Sequence, residues 1–174
     1  MNTLETSRLL LAELPLEIVR RRLAAPSFLA AVQFPAGPQT VSFPAEWPGR
    51  PLGFFPRLLA NGTEHNGQFI LVRRHGGLAL GLMGDKGGPD VHGDLEIGYG
   101  LNPGAWNQGY ASEALRALLP YWCARPGVGR VTAQTSTSNP ASARVLEKCG
   151  FTLVGESWDE ANGPLLVWAA ASPA

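Results

Sequence analysis

Two spacings of apolar residues follow each other in the middle of the chain. Leu95, Ile97, Tyr99 and Leu101 alternate with Glu96, Gly98 and Gly100, which is the period of a strand with one bulky face and one nearly bare face. Asn102-Pro103-Gly104 ends that strand as a turn. Ala111, Ala114, Leu115, Leu118, Leu119 and Trp122 then recur at helical spacing, predicting an amphipathic helix that begins near Asn107 or Gln108. A helix start carries unpaired N–H groups and a partial positive charge, and Gly109, Ala111 and Ser112 crowd those donors little. The stretch predicts a strand, a turn and an anion site.

The same patterns place the other elements. Arg8 to Leu14 reads as a first strand, and Pro15 opens a helix with Leu16, Val19 and Leu23 on one side, interrupted by Arg20, Arg21 and Arg22, read as a solvated face. Residues 34–60 carry Pro35, Pro38, Pro44, Pro48 and Pro51 among Phe43, Trp47 and Phe54, too much proline for a regular helix or a central strand. An ordered loop is expected, its rings offsetting the entropy of ordering, with one helical turn over 55–59. Phe69–Val72 and Leu78–Met83 form a hairpin through His75-Gly76-Gly77, and 85–93 is a polar loop.

Past the central helix, Val131–Thr135 is a strand, and strand, helix and strand at this spacing imply a parallel crossover. Asn139-Pro140 offers an N-cap and a first-turn proline, and Gly150 a C-terminal stop, with Ser142, Val145, Leu146 and Cys149 on one face. Residues 151–156 and 165–170 close the chain as an antiparallel pair. The fold class is α/β with a central mixed sheet flanked by helices, and residues 1–174 are read as one domain.

Composition narrows the function. Zero formal charge and a pI of about 6.8 give no electrostatic footprint for nucleic acid. Cys123 and Cys149 sit among apolar neighbours, as reduced thiols do, so a reducing, cytoplasmic compartment is expected. The first residues lack an apolar signal core and no apolar run reaches a membrane span. His92 near Asp90 and Asp94 has no second His or Cys beside it, so no metal is expected.

Two motifs carry a family resemblance. Trp106-Asn107-Gln108-Gly109-Tyr110-Ala111 resembles the pyrophosphate-binding motif Q/R-x-x-G-x-G/A of the GNAT N-acetyltransferases, and Trp at its first position, with the preceding Glu-Ile-Gly-Tyr, is similar to the RimJ/RimL-like branch. Asn139-Pro-Ala-Ser142 followed by Leu146-Glu-Lys-Cys149-Gly150-Phe151 resembles that family's motif around its fourth helix. The resemblance implies the GNAT fold and acetyl transfer from acetyl-CoA to a primary amine, a protein N-terminus or a small molecule, by direct attack in a ternary complex. It implies a cofactor held by Ile97, Tyr99, Leu101, Trp106, Asn107, Gln108, Gly109, Tyr110, Ala111, Ser112, Asn139 and Ser142, and it lays the proline-rich loop beside the acceptor.

Glu96, the one ionisable group inside the strand, is then the first candidate for a general base, through water, or for a carboxylate that orients a neighbour. The resemblance also exposes a departure, since many relatives carry a general-acid tyrosine where this chain has Leu146. Ser142, one turn earlier, is the candidate to hydrogen-bond the thiol sulfur instead. A non-catalytic acyl-CoA-binding regulator and a protein-interaction module built on the proline-rich loop stand as alternatives. The acting species is expected as a monomer or homodimer.

Overall fold

A computed structural model describes residues 2–63 and 65–171. In chain order the strands are β1 (Thr3–Glu5), β2 (Leu9–Glu13), β3 (Phe28–Phe34), β4 (Gly37–Phe43), β5 (Gln68–Arg73), β6 (Leu78–Asp85), β7 (Asp94–Leu101), β8 (Arg130–Ser136), β9 (Thr152–Asp159) and β10 (Gly163–Ala171). The helices are α1 (Leu16–Ala24), α2 (Phe55–Asn61), α3 (Tyr110–Cys123) and α4 (Pro140–Lys148). They form two units, residues 1–84 with 99–114, and residues 85–98 with 115–174. β7 and α3 each begin in one unit and end in the other.

In the first unit β1, β2, β5 and β6 pair antiparallel in that order, and β4 meets β6 in parallel at Ser42 and Leu78. β2 and β5 are buried almost throughout, as strands covered on both faces are. Leu10, Leu14, Val19, Val32, Phe34, Phe43, Trp47, Phe55, Ile70 and Leu82 belong to one core. Within α1 the buried residues are Leu16, Ile18 and Val19, whereas Leu23, expected on the buried side, is exposed at the helix end. The basic triplet is only partly a solvated face: Arg22 donates from Nε to the Trp47 carbonyl (2.7 Å) and from Nη2 to that of Ala45 (2.8 Å).

The expectation of a strandless loop over 34–60 is corrected for its first part. β3 and β4 form a hairpin with Phe34 opposite Gly37, and Pro38 lies in β4 opposite Gln33. Proline is tolerated there because β4 has a ladder partner other than β3, among the described residues, only at Ser42, so Pro38 stands on an open edge. The remainder, 44–54, is the ordered irregular segment, with a cis Trp47–Pro48 bond and a short 3-10 turn over Leu52–Phe54. Its rings serve the core: Trp47 is fully buried, edge-on to Phe43 and beside Phe55, with its Nε1 donating to the Gly81 carbonyl at 3.0 Å. An aromatic interaction surface on this loop is thereby ruled out for Phe43, Trp47 and Phe55.

In the second unit the start of β7 runs parallel to β8, from Asp94 opposite Arg130 to Ile97 opposite Ala133, while β10 lies antiparallel between β8 and β9. The parallel β7–β8 pairing is the crossover expected from the sequence. Asp94 and Arg130 staple its first rung with a two-bonded ion pair at 2.6 and 2.7 Å. Trp168 on β10 donates to the Thr135 hydroxyl of β8 at 2.9 Å in the buried interior. Mixed pairing with interspersed helices is the α/β class read from the sequence. No helix of the described residues is long and apolar enough to cross a membrane.

Candidate active site

The predicted anion site lies in the first unit, where the chain leaves β7 and turns into α3. Asn102 anchors the exit of the strand: its backbone N–H donates to the Leu80 carbonyl and its side-chain Nδ2 to that of Ala79, both at 2.8 Å. Pro103–Ala105 form one 3-10 turn, after which Trp106 lies exposed with its indole N–H on the Leu101 carbonyl at 2.8 Å, and Gln108 donates to the Gly104 carbonyl at 2.7 Å. Asn107 and Gly109 both take positive φ, 58° and 78°. This backbone reversal presents the start of α3, which begins at Tyr110, two to three residues later than the apolar spacing alone suggests.

Gly109 is where the turn requires glycine. Among the described residues beyond its chain neighbours, the atom a Cβ there would approach is Nη2 of Arg8, at 3.4 Å, so no backbone closes over the turn. Tyr110, Ala111 and Ser112 are buried and pack the first helical turn. A network missed by the sequence reading fixes this turn. Glu113 accepts from Thr6 Oγ1, Ser7 Oγ (3.2 Å), the Arg8 backbone N–H (3.0 Å) and Arg8 Nε (2.6 Å), while Arg8 Nη1 donates to the Gln108 carbonyl at 2.9 Å. Burial pushes the Glu113 carboxyl up, but the hydrogen bonds from Thr6 and Arg8 outweigh it and hold the group below the ordinary carboxylate range.

The bare face of β7 is not wholly bare. A Cβ on Gly100 would stand 2.6 Å from the Gly49 carbonyl oxygen and 3.0 Å from Cβ of Arg50, so this glycine admits the chain's own backbone. Arg50 packs its guanidinium over the Phe54 ring, 4.2 Å from the centroid, and burial lowers its pKa. Tyr99 and Leu101 are half-buried beside this contact.

The remaining candidates lie in the second unit. Ile97 is buried in the core, side chain and main chain alike. It forms the last rung of the parallel ladder, although both strands run on, to Leu101 and Ser136. Glu96 pairs through Oε1 with Lys86 Nζ at 2.5 Å, and its backbone carbonyl accepts from the Lys86 N–H at 2.9 Å. Asn139 caps α4, its Oδ1 accepting from the Ser142 N–H at 3.2 Å, with Pro140 first in the helix. Leu146, one turn past Ser142, is fully buried and faces the core, so the tyrosine position of the resemblance is a packing position here. Cys123, half-buried, and Cys149, buried, are not joined in a disulfide. Among the described residues no cluster of three His, Cys, Asp or Glu side chains could hold a metal ion.

Comparison with known proteins bears on the family and the fold. Residues 26–152 match the family model of the acetyltransferase (GNAT) domain. An uncharacterized N-acetyltransferase of Bacillus subtilis (strain 168), YjdG, is 33% identical over 114 residues, covering 62% of this chain and 68% of the relative. Two solved structures share the fold: a spermidine N-acetyltransferase SpeG chimera from Vibrio cholerae and hSSAT (TM-score 0.67, 17% identity, 95% of this chain and 96% of that one). The second is the RimL ribosomal-protein alpha-N acetyltransferase in complex with coenzyme A (TM-score 0.65, 15% identity, 98% of each chain). The glycine turn ahead of α3, the mixed sheet and the family match lead to one conclusion: the chain belongs to the GNAT acetyltransferase family, an acetyl-CoA-dependent N-acetyltransferase that acts on amines.

Proposed function

We propose that the acceptor is a primary amine, either the α-amine of a protein or that of a small molecule, and that it attacks the thioester directly while both substrates are bound. The observation that carries the cofactor assignment is the open turn at Gly109. Coenzyme A fits the residues present: a positive-φ glycine with the cationic Arg8 guanidinium beside it, small residues at Ala111 and Ser112, and the N–H groups of Gln108 to Ser112 at a helix start. Acetyl-CoA supplies an activated acetyl group on a thiol leaving group.

The chain's own residues do the rest. Gln108 to Ser112 hold the pyrophosphate, with Trp106, Asn107 and Tyr110 shaping the turn around it. The main chain from Ile97 through Tyr99 to Leu101, where β7 runs on past its last rung with β8, takes the thiol arm. Positioning of this kind supplies much of the acceleration of a bimolecular transfer. Glu96 accepts the amine's proton through water, on the carboxylate oxygen not engaged by Lys86. The Ser142 hydroxyl donates toward the departing sulfur, and no stronger acid is required because a thiol ionises near pH 8.5. Asn139 caps α4 and, with its Nδ2 group, is the remaining candidate to contact the cofactor. RimL, by its description, acts on a ribosomal protein and the SpeG chimera on spermidine, two primary-amine acceptors of different size. We read residues 1–174 as one acetyltransferase domain, acting in a cytoplasmic monomer or homodimer without nucleic acid or metal.

The test is a screen of amines with acetyl-CoA, read by free-thiol release and by mass spectrometry of the acceptor. Acceptor-dependent thiol release is expected. Binding of acetyl-CoA without turnover on any amine would instead favour a non-catalytic acyl-CoA-binding regulator, a reading the family match does not favour. Saturating acetyl-CoA at about 100 times its Kd should also stabilise the fold by about 2.7 kcal/mol.

A further inference from the structure

We propose that Arg8 is a further coenzyme A-binding residue, whose Nη2 group donates hydrogen bonds to the pyrophosphate at the Gly109 turn. The inference rests on the reading that this turn takes the pyrophosphate. Arg8 lies outside the segment matched by the family model, just ahead of β2. Its guanidinium is fixed on three sides: Nε on Glu113 at 2.6 Å, Nη1 on the Gln108 carbonyl at 2.9 Å, and its plane over the Tyr110 ring, with Cζ 4.5 Å from the centroid. Nη2 is the corner left over. It donates to no acceptor among the described residues and lies 3.4 Å from where a Cβ on Gly109 would be. The side chain is 45% exposed, so a ligand can reach it.

The chemistry suits an anion of two phosphates. A guanidinium carries five donors in a rigid fork, and hydrogen bonds from it to phosphate are charge-assisted and short. Holding two of its groups on protein acceptors removes rotamer freedom in advance, so little is lost when the third meets phosphate. Charge points the same way. Glu113 stands in the first turn of α3, where an uncompensated carboxylate would repel an approaching phosphate, and the contact with Arg8 cancels it.

A purely structural role, holding the Gln108 carbonyl so that the turn keeps its shape, predicts a different result. The Kd of coenzyme A and of pantetheine, which shares the thiol arm and lacks the pyrophosphate, is to be measured by calorimetry for wild type, Arg8→Ala and Arg8→Gln, with Tm recorded without ligand. Both variants should weaken coenzyme A about tenfold or more and leave pantetheine within twofold. An unchanged Kd for coenzyme A, or an equal loss for both ligands, overturns the assignment. Should Arg8→Ala fail to fold, Arg8→Gln carries the comparison, since its amide nitrogen stands where Nε does and can still donate to Glu113. Wild-type protein that binds pantetheine and coenzyme A equally well overturns the reading of the turn itself, before any variant is compared.

Discussion

Gly100 of β7 lies so close to Gly49 that a methyl group on it would stand 2.6 Å from the Gly49 carbonyl oxygen. Gly49 returns the constraint, with a φ of 74° and the Leu101 carbonyl group in the way of any side chain. Because both obstacles are backbone, neither can swing aside. Gly100→Ala should therefore destabilise by about 1–3 kcal/mol, the usual cost of overpacking. Gly49→Ala should cost more, since it adds strain at a positive φ. Denaturant unfolding measures both, and a Gly100→Ala protein as stable as wild type would show that the 44–50 segment does not press on the strand.

A branched side chain at Gly109 meets a different obstacle. The neighbour is the end of the flexible Arg8 side chain and not backbone, so Gly109→Val should fold at a cost of about 1–3 kcal/mol from strain at its φ of 78°, while its Kd for coenzyme A rises at least tenfold because the methyl groups stand over the amides. Calorimetry on the folded variant decides it. Wild-type affinity would mean that the glycine serves the bend alone.

Glu113 ties stability to pH. Its carboxyl lies below the ordinary range in the folded state, so the stabilisation from its ionised form is fully present above the unfolded value, about 4.3, and is lost as pH falls through the folded one. Glu113→Gln should lower stability by about 1–2 kcal/mol at pH 7, the scale of a hydrogen bond to a charged group. Toward pH 3 the two proteins should converge. A gap of equal size at both pH values would assign the effect to shape and not to charge.

Two roles for Glu96 separate in steady-state kinetics. If it takes the proton, Glu96→Gln lowers kcat by about 100-fold and removes the acidic limb of the pH profile. If its pairing with Lys86 only fixes the 85–93 turn, KM for the amine rises while kcat survives. A variant with wild-type kcat and the same acidic limb strikes Glu96 from the catalytic residues.

The elements with long, regular spacing were legible before the structure: β7, α3, and α4 with its Asn139-Pro140 start. The glycine turn was legible too, because it is local and its residues are rare in such a pattern. What escaped has physical causes. β1 is three residues long and has no period of its own, and β4 was hidden by Pro38, whose meaning depends on lying at an edge that only pairing creates. Arg8 and Glu113 meet across about a hundred residues, a relationship that leaves no local mark. Gly100 lies on the nearly bare face of the strand, and what meets it there is Gly49, a neighbour no local pattern reveals.

Trp47 has a kinetic consequence. Its buried ring and indole hydrogen bond, together with the two carbonyl bonds from Arg22, fasten residues 45–47 from both sides, so these residues behave as part of the interior. Displacing them would expose a large aromatic surface and break three hydrogen bonds at once, which makes such an open form rare. A ligand that lies against this segment thus meets a preformed wall. Its association should follow one exponential whose rate grows linearly with ligand concentration, without the plateau that a slow opening step would impose.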